Sequence, residues 1–158
     1  MREIGVSTGI FFKYYGEEEI NRCIHHIARW DVDIVEILLT RLFMIDIPIS
    51  FENKEFLKKK RVRIHAPFYV NKGYDLCKLT SAEIRKVVNL AEEIGAESII
   101  LHPDLINNVD SLDDFGFDFT IENVKPELSK DYSLERLPVF LKNIVISSSV
   151  WMWAMRSI

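Results

Sequence analysis

The stretch Glu97–His102 (ESIILH) shows the pattern on which the fold depends: a short run of β-branched and apolar residues that ends in a histidine. Such a run is typical of a strand that is buried on both faces of a sheet. A helix is predicted just before it, because Thr80–Glu83 matches a capping box and Gly95 is suited to end the helix. A helix that leads directly into a buried strand is the repeating unit of a parallel α/β sheet.

The same alternation of strand and helix extends over most of the chain. The predicted strands are Ile4–Thr8, Asp33–Leu38, Val62–His65, Glu97–His102 and Phe117–Glu122, and a sixth begins at Asn143. The predicted helices are Glu17–Trp30, Phe51–Lys60, Thr80–Ile94 and Ser133–Leu141. Because the sequence contains no linker or low-complexity segment between these elements, we expect one α/β domain with a parallel sheet.

The composition excludes several classes of protein. With 158 residues, of which 48% are hydrophobic and 28% charged, the chain has enough apolar material for a core and is not disordered. A net charge of −4 gives no broad basic surface for nucleic acid or anionic membranes. Two cysteines are too few for a disulfide framework, and no apolar run reaches the roughly 20 residues of a membrane span. We expect a cytoplasmic protein.

Chemically active side chains collect where the predicted strands end. His65 ends the third strand, His102 the fourth, and Glu122 the fifth. Because neighbouring parallel strands lie about 4.8 Å apart, these three side chains are expected to form a short arc at one edge of the sheet. Imidazole and carboxylate groups in such an arc can bind one divalent ion, or two ions a few Å apart, with bonds of about 2.0–2.2 Å. The alternative is that each histidine is a hydrogen-bonded structural residue.

Four further residues are candidates for the same site. Glu36 lies between Val35 and Ile37 and is either a catalytic or substrate-contacting residue or a salt-bridged core carboxylate; both alternatives stay open. Three polar residues at strand ends are candidates for substrate binding: Ser7, Asn71 and Asn123. We expect these positions to line a crevice at the carboxyl ends of the strands.

Other conspicuous residues receive no chemical role. Trp30 follows Ile20, Ile24 and Ile27 at helical spacing and is expected on the apolar side of that helix. His25 and His26 lie away from this side and are expected to be solvated.

The residues around the two histidines and the glutamate carry a family resemblance. Arg63–Phe68 (RIHAPF), Leu101–Pro103 (LHP) and Ile121–Asn123 (IEN) resemble three consecutive motifs of the xylose isomerase-like and endonuclease IV-like (AP endonuclease family 2) TIM-barrel superfamily. The motifs and elements match in order from Ile4 to about Asn143. The resemblance implies that residues 1–143 form the amino-terminal part of a (β/α)8 TIM barrel, with about five strand–helix units and a sixth strand.

The resemblance also implies a function. The superfamily contains sugar or sugar-phosphate isomerases and epimerases that use one divalent ion, and apurinic endonucleases that use a zinc cluster. It implies that His65, His102 and Glu122 bind a divalent metal (Zn, Mn, Co or Mg) or line the substrate pocket, and that Glu122 can also serve as a catalytic acid or base. Glu36 is the second catalytic candidate, on the strength of its position in the strand alone. The endonucleases have a glycine-rich stretch after the strand-five glutamate, whereas Val124–Pro126 follows here. With the acidic net charge, this difference favours the isomerase and epimerase branch and a sugar or sugar phosphate over DNA.

The final residues, 144–158, do not fit the barrel pattern. They contain two of the three tryptophans and two of the four methionines. When the codons of Trp151–Met155 are read from one base earlier, they encode five other residues. The middle three are Asp-Val-Gly, the first can be Leu, and the fifth can be His. This is similar to the Asp-x-x-His metal motif on the sixth strand of the superfamily. We hypothesise a frameshift after about Lys142, which the DNA sequence downstream of that codon would test.

A shortened barrel has physical consequences. An eight-fold barrel needs about 250 residues, so ligands from later strands would be missing and sheet edges would be open. We therefore expect weak metal binding, little or no catalysis, and self-association through the open edges. A non-catalytic half-barrel that oligomerises is the remaining alternative.

Overall fold

The computed structural model describes residues 3–73, 75–102, 105 and 109–122. The predicted helix Ser133–Leu141, the sixth strand, Asn123 and the atypical segment 144–158 lie outside these residues. The predictions for them remain expectations.

The apolar runs form a single parallel sheet, as predicted. Its strands are β1 (Gly5–Ser7), β2 (Ile34–Leu38), β3 (Arg61–His65), β4 (Ser98–Leu101) and β5 (Phe119–Ile121). They lie side by side in chain order, and every neighbouring pair is parallel. Each strand starts and ends within two residues of its predicted bounds. This α/β arrangement matches the first five strands of a partial TIM barrel.

Helices connect the strands. The α-helices are α1 (Phe12–Tyr15), α2 (Ile20–Ile27), α3 (Phe51–Leu57) and α4 (Ser81–Ile94), and 3-10 helices cover Thr8–Phe11, Glu17–Glu19, Leu42–Asp46 and Val109–Phe115. The capping box predicted at Thr80 and Glu83 is present, and Gly95 ends α4 in the left-handed region at φ 71°. Within the described residues, no helix is long and apolar enough to cross a membrane.

The two faces of the sheet differ in character. Consecutive parallel strands joined by right-handed crossovers place their helices on one face, and the strand residues on that face are almost fully buried. These residues include Val35, Ile37, Val62, Ile64, Ile99 and Leu101, each at most 2% exposed. We call the opposite side the inner face. Because side chains alternate between the two faces along each strand, the residues on the inner face are Ser7, Glu36, Leu38, Arg63, His65, Ser98, Ile100 and Thr120.

Two predictions around α2 are wrong. The helix ends at Ile27, so Trp30 lies beyond its last turn; its side chain is 41% exposed and packs only in part, with its ring centroid 5.4 Å from that of Phe11. His26 is half-buried rather than solvated, because the first 3-10 helix and α1 pack beside it: the ring centroids of His26 and Phe11 are 4.9 Å apart, and Tyr15 Oη lies 3.2 Å from His26 Nδ1. His25 is exposed, as predicted.

Candidate metal centre

Three neighbouring strands bring His65, His102 and Glu122 together. His65 is the last residue of β3, His102 directly follows β4, and Glu122 directly follows β5. The pairing of Leu101 with Ile121 puts the last two at the same height on adjacent strands. One ligand atom from each side chain lies within 4.8 Å of the other two. Among the described residues, this is the one group of three or more His, Cys, Asp or Glu side chains close enough to hold an ion.

The distances within this group suit a divalent ion. His65 Nε2 and Glu122 Oε2 are 3.3 Å apart. Two ligands of a tetrahedral ion with bonds of 2.0–2.1 Å lie about 3.3–3.4 Å apart, so this pair already has the required separation. The imidazole rings of His65 and His102 have centroids 4.8 Å apart and planes inclined at 55°. The rings are therefore close without being stacked, which leaves their edges free to converge.

Backbone carbonyls select the nitrogen that each imidazole offers. His65 Nδ1 lies 3.0 Å from the Ala66 carbonyl oxygen, and His102 Nδ1 lies 3.1 Å from the Glu122 carbonyl oxygen. A carbonyl oxygen only accepts hydrogen bonds, so Nδ1 donates in both contacts. A neutral imidazole that donates from Nδ1 carries its lone pair on Nε2, and a hydrogen bond of this kind typically orients a metal-binding histidine.

The contact between His65 and Glu122 provides a test of whether a cation fits. With the proton of neutral His65 on Nδ1, the Nε2 lone pair would face the Glu122 carboxylate oxygen at 3.3 Å, which is repulsive. Two species remove this repulsion: a proton, giving an imidazolium that donates from both nitrogens, or a divalent cation between the two atoms. The donor set of two imidazoles and one carboxylate is one that zinc and similar ions use.

The surroundings shift two pKa values of the group. Burial lowers the pKa of His102 below its ordinary 6.5, and the nearby His65 acts in the same direction. When His65 Nε2 carries a proton, its hydrogen bond lowers the pKa of the Glu122 carboxyl, against the opposing effect of burial. Both shifts keep the two side chains in the unprotonated forms that bind metals.

Phe68 is a residue of this site that the sequence pattern did not single out. Its ring meets both imidazoles edge-on, with centroid distances of 5.3 Å to His65 and 5.6 Å to His102. The one available signal was its position in the motif Arg63–Phe68, three residues after the histidine.

The segment after β3 is fixed to β2 and folds back on itself. The Thr40 carbonyl oxygen accepts hydrogen bonds from the backbone N–H groups of Phe68 (3.3 Å) and Tyr69 (3.0 Å), and the Phe68 carbonyl accepts one from Cys77 N–H (3.1 Å). Arg41 donates to the carbonyls of residues 70 and 73 and pairs with Glu17 at 2.6 Å. The backbone of Phe68 is thus held from two sides.

The remaining candidates that the structure describes are not members of the three-residue group. Ser7 Oγ accepts a hydrogen bond from Gly9 N–H (3.3 Å) and so caps the first 3-10 helix. Asn71 is exposed, and its side-chain oxygen accepts a hydrogen bond from Phe43 N–H (2.8 Å).

Glu36 is half-buried on the inner face, in register with Ser7 on one side and Arg63 on the other. It forms no salt bridge with any residue that the structure describes.

Comparisons with known proteins find several similar solved structures, of which two are described. The chain is similar to a D-tagatose 3-epimerase-like protein, with a TM-score of 0.46 and 19% identity over 84% of this chain and 61% of that one. It is also similar to an uncharacterized protein from Parabacteroides distasonis ATCC 8503, with a TM-score of 0.44 and 13% identity over 83% of this chain and 59% of that one. No family model and no curated protein matches the chain. It spans about three fifths of the length of these two structures.

Proposed function

We propose that His65, His102 and Glu122 hold one divalent ion, and that this centre serves the isomerisation or epimerisation of a sugar or sugar phosphate. The observation that carries the proposal is the convergence of two imidazoles and a carboxylate, both imidazoles donating from Nδ1 to backbone carbonyls. The resemblance of the three motifs to sugar isomerases and epimerases supports the choice of substrate.

The coordination number leaves room for a substrate. Three protein ligands occupy three positions of a tetrahedral ion, and catalytic sites of this type keep the next position open. When bound, a divalent ion would polarise a carbonyl or hydroxyl oxygen of the sugar as a Lewis acid. The edges of the two imidazoles and the Glu122 carboxylate would fix where that oxygen lies.

The reaction also needs a group that moves a proton. Isomerisation and epimerisation of a sugar remove a proton from the carbon beside a carbonyl and return it to another carbon or to the opposite face. A carboxylate takes the proton while the C–H electron pair moves toward the carbonyl oxygen. Glu122, whose lowered pKa keeps it ionised, and Glu36, on the inner face two residues before Leu38, are the carboxylates proposed for this role.

Metal binding is the first test. The chelator-treated protein is titrated with Zn²⁺, Co²⁺ or Mn²⁺ by calorimetry, and we expect one equivalent to bind. His65→Ala should weaken binding at least tenfold, because it removes a ligand. His25→Ala, the change of an exposed histidine, is the matched control and should leave affinity unchanged. Equal binding by wild type and His65→Ala would show that the ion sits elsewhere.

The reaction class is tested separately. The metal-loaded chain is incubated in D₂O with a ketose or its phosphate, and NMR follows deuterium entering the carbon next to the carbonyl. We expect slow exchange that requires the metal and is lost in His65→Ala. Nicking of abasic-site DNA without such exchange would instead assign the centre to the endonuclease branch.

A further inference from the structure

We propose that Phe68 is a positioning residue for the metal centre, which fixes the orientation of both imidazoles without touching the ion. The inference rests on the proposed function, because it concerns how the same three ligands are held. Positioning here means that the ring limits rotation of His65 and His102 about their side-chain bonds.

The contacts of the Phe68 ring support this role. The ring planes of Phe68 and His65 are inclined at 72°, and those of Phe68 and His102 at 88°, so one aromatic ring lies edge-to-face with both ligands. Such geometry is favourable and depends on angle, whereas an aliphatic side chain packs without an angular preference. A single ring in contact with two imidazoles restricts both at once.

The hydrogen bonds of the imidazoles need this restriction. Each Nδ1 has a backbone carbonyl as its partner, Ala66 for His65 and Glu122 for His102. Rotation of either ring about its side-chain bonds would break the hydrogen bond and turn Nε2 away from the shared centre. The hydrogen bonds thus determine that Nδ1 carries the proton and that Nε2 faces the shared centre. The Phe68 ring blocks the rotation that would exchange the positions of the two nitrogens.

Phe68 can perform this task because its own backbone is fixed. Its N–H donates to the carbonyl of Thr40 beyond the end of β2, and its carbonyl accepts from the N–H of Cys77. The two partners lie on opposite sides of the segment and come from different parts of the chain. The position of the ring is therefore set by the sheet and its loops.

Three variants separate positioning from simple packing. Phe68→Leu keeps an apolar side chain but removes the aromatic edge, and Phe68→Tyr restores the edge. Phe56→Leu is the control, because Phe56 is a half-buried aromatic on α3 that packs against the core. We measure Co²⁺ affinity, the visible absorption spectrum of bound Co²⁺ and the thermal midpoint of each protein.

We expect Phe68→Leu to bind Co²⁺ about tenfold more weakly and with an altered spectrum, since outer-shell changes typically cost 10–100-fold. Phe68→Tyr should recover affinity and spectrum. Phe56→Leu should lower the thermal midpoint, while its Co²⁺ affinity and its spectrum remain as in wild type. Wild-type affinity and spectrum in Phe68→Leu would overturn the proposal while leaving the metal site intact.

A measurement without metal keeps the two proposals distinguishable. NMR of the imidazole nitrogens at about pH 8, where histidine is largely neutral, reports which nitrogen carries the proton. We expect wild type to hold the proton of His102 on Nδ1 and Phe68→Leu to show a mixture. If wild type binds no metal, the proposed function fails, but this measurement still decides the role of Phe68. Identical proton positions in wild type and Phe68→Leu would overturn the positioning role of Phe68.

Discussion

Glu122 connects the two histidines through different parts of one residue. Its carboxylate contacts His65 Nε2, and its backbone carbonyl accepts a hydrogen bond from His102 Nδ1. A change confined to the side chain therefore removes the carboxylate and leaves the contact with His102 in place. This separation makes Glu122 the most informative single position of the site.

Glu122→Gln should weaken Zn²⁺ binding by about 10–100-fold, because a neutral amide is a poorer ligand than a carboxylate. Calorimetric titration of the chelator-treated protein measures the effect. Glu92→Gln removes the same charge from an exposed position on α4 and is the matched control. Equal losses in both variants would mean that net charge, not ligation, determines the affinity.

The pH dependence of stability follows from His102. Its pKa is lower in the folded protein than its ordinary 6.5, so the unfolded chain takes up a proton first as the pH falls. The free energy of unfolding is therefore full above about pH 6.5 and decreases below it. Urea denaturation of the metal-free protein at several pH values measures this. His102→Gln should show a smaller decrease over the same range, and an equal decrease would contradict the assignment.

The convergence of the three side chains could be predicted from sequence, but the packing around them could not. His65, His102 and Glu122 each end a recognisable apolar run, and strand ends in a parallel sheet meet at one edge. The contacts of Phe68 depend on how the segment after β3 folds back, which no local pattern encodes. His26 shows the same limit, since its burial depends on α1.

At the level of elements, α4 has the clearest local signals. Thr80 Oγ1 accepts a hydrogen bond from Glu83 N–H (3.3 Å), and the Glu83 carboxylate accepts one from Thr80 N–H (2.7 Å). The helix buries Ile84, Val88 and Ile94 against the core. Its carboxyl-terminal end leads through Gly95 into β4, so the helix helps to place the strand that leads to His102.

Thr80→Ala should lower the free energy of unfolding by about 1 kcal/mol, because it leaves an N–H group at the helix end without its partner. Urea denaturation of the metal-free protein measures the difference. Ser81→Ala, one residue later and exposed, should change it by less than about 0.5 kcal/mol. A cost for Thr80→Ala no larger than that of Ser81→Ala would show that the cap does not stabilise the helix.

Strands and the long helix were predictable because side-chain pattern alone identifies them. β2 and β4 are runs of Ile, Val and Leu with one polar residue each, β3 alternates Arg or His with Val and Ile, and α4 has an apolar period near 3.6. The 3-10 helix Leu42–Asp46 was not predicted, since its apolar residues have no period that separates it from a loop. Short turns of this kind depend on neighbours such as Asn71, whose side chain binds Phe43 N–H.

At the scale of the whole molecule, the site depends on the order of the strands. The three side chains converge because β3, β4 and β5 are adjacent and in register, so any loss of sheet structure separates them. The proposed metal binding should therefore be coupled to folding, because an ion that binds only the folded chain stabilises it by an amount set by its concentration.

This coupling gives a test on the intact protein. At a free Zn²⁺ concentration about 100 times the dissociation constant, binding should stabilise the fold by about 2.7 kcal/mol. For a chain of this size, that corresponds to a rise of the thermal midpoint of roughly 5–10 °C. The rise should grow with the logarithm of the Zn²⁺ concentration and reverse on adding a chelator. His65→Ala should show at most about half of it at the same concentration, because binding that is tenfold weaker leaves about 1.4 kcal/mol of stabilisation. An undiminished rise would place the stabilising ion outside this centre.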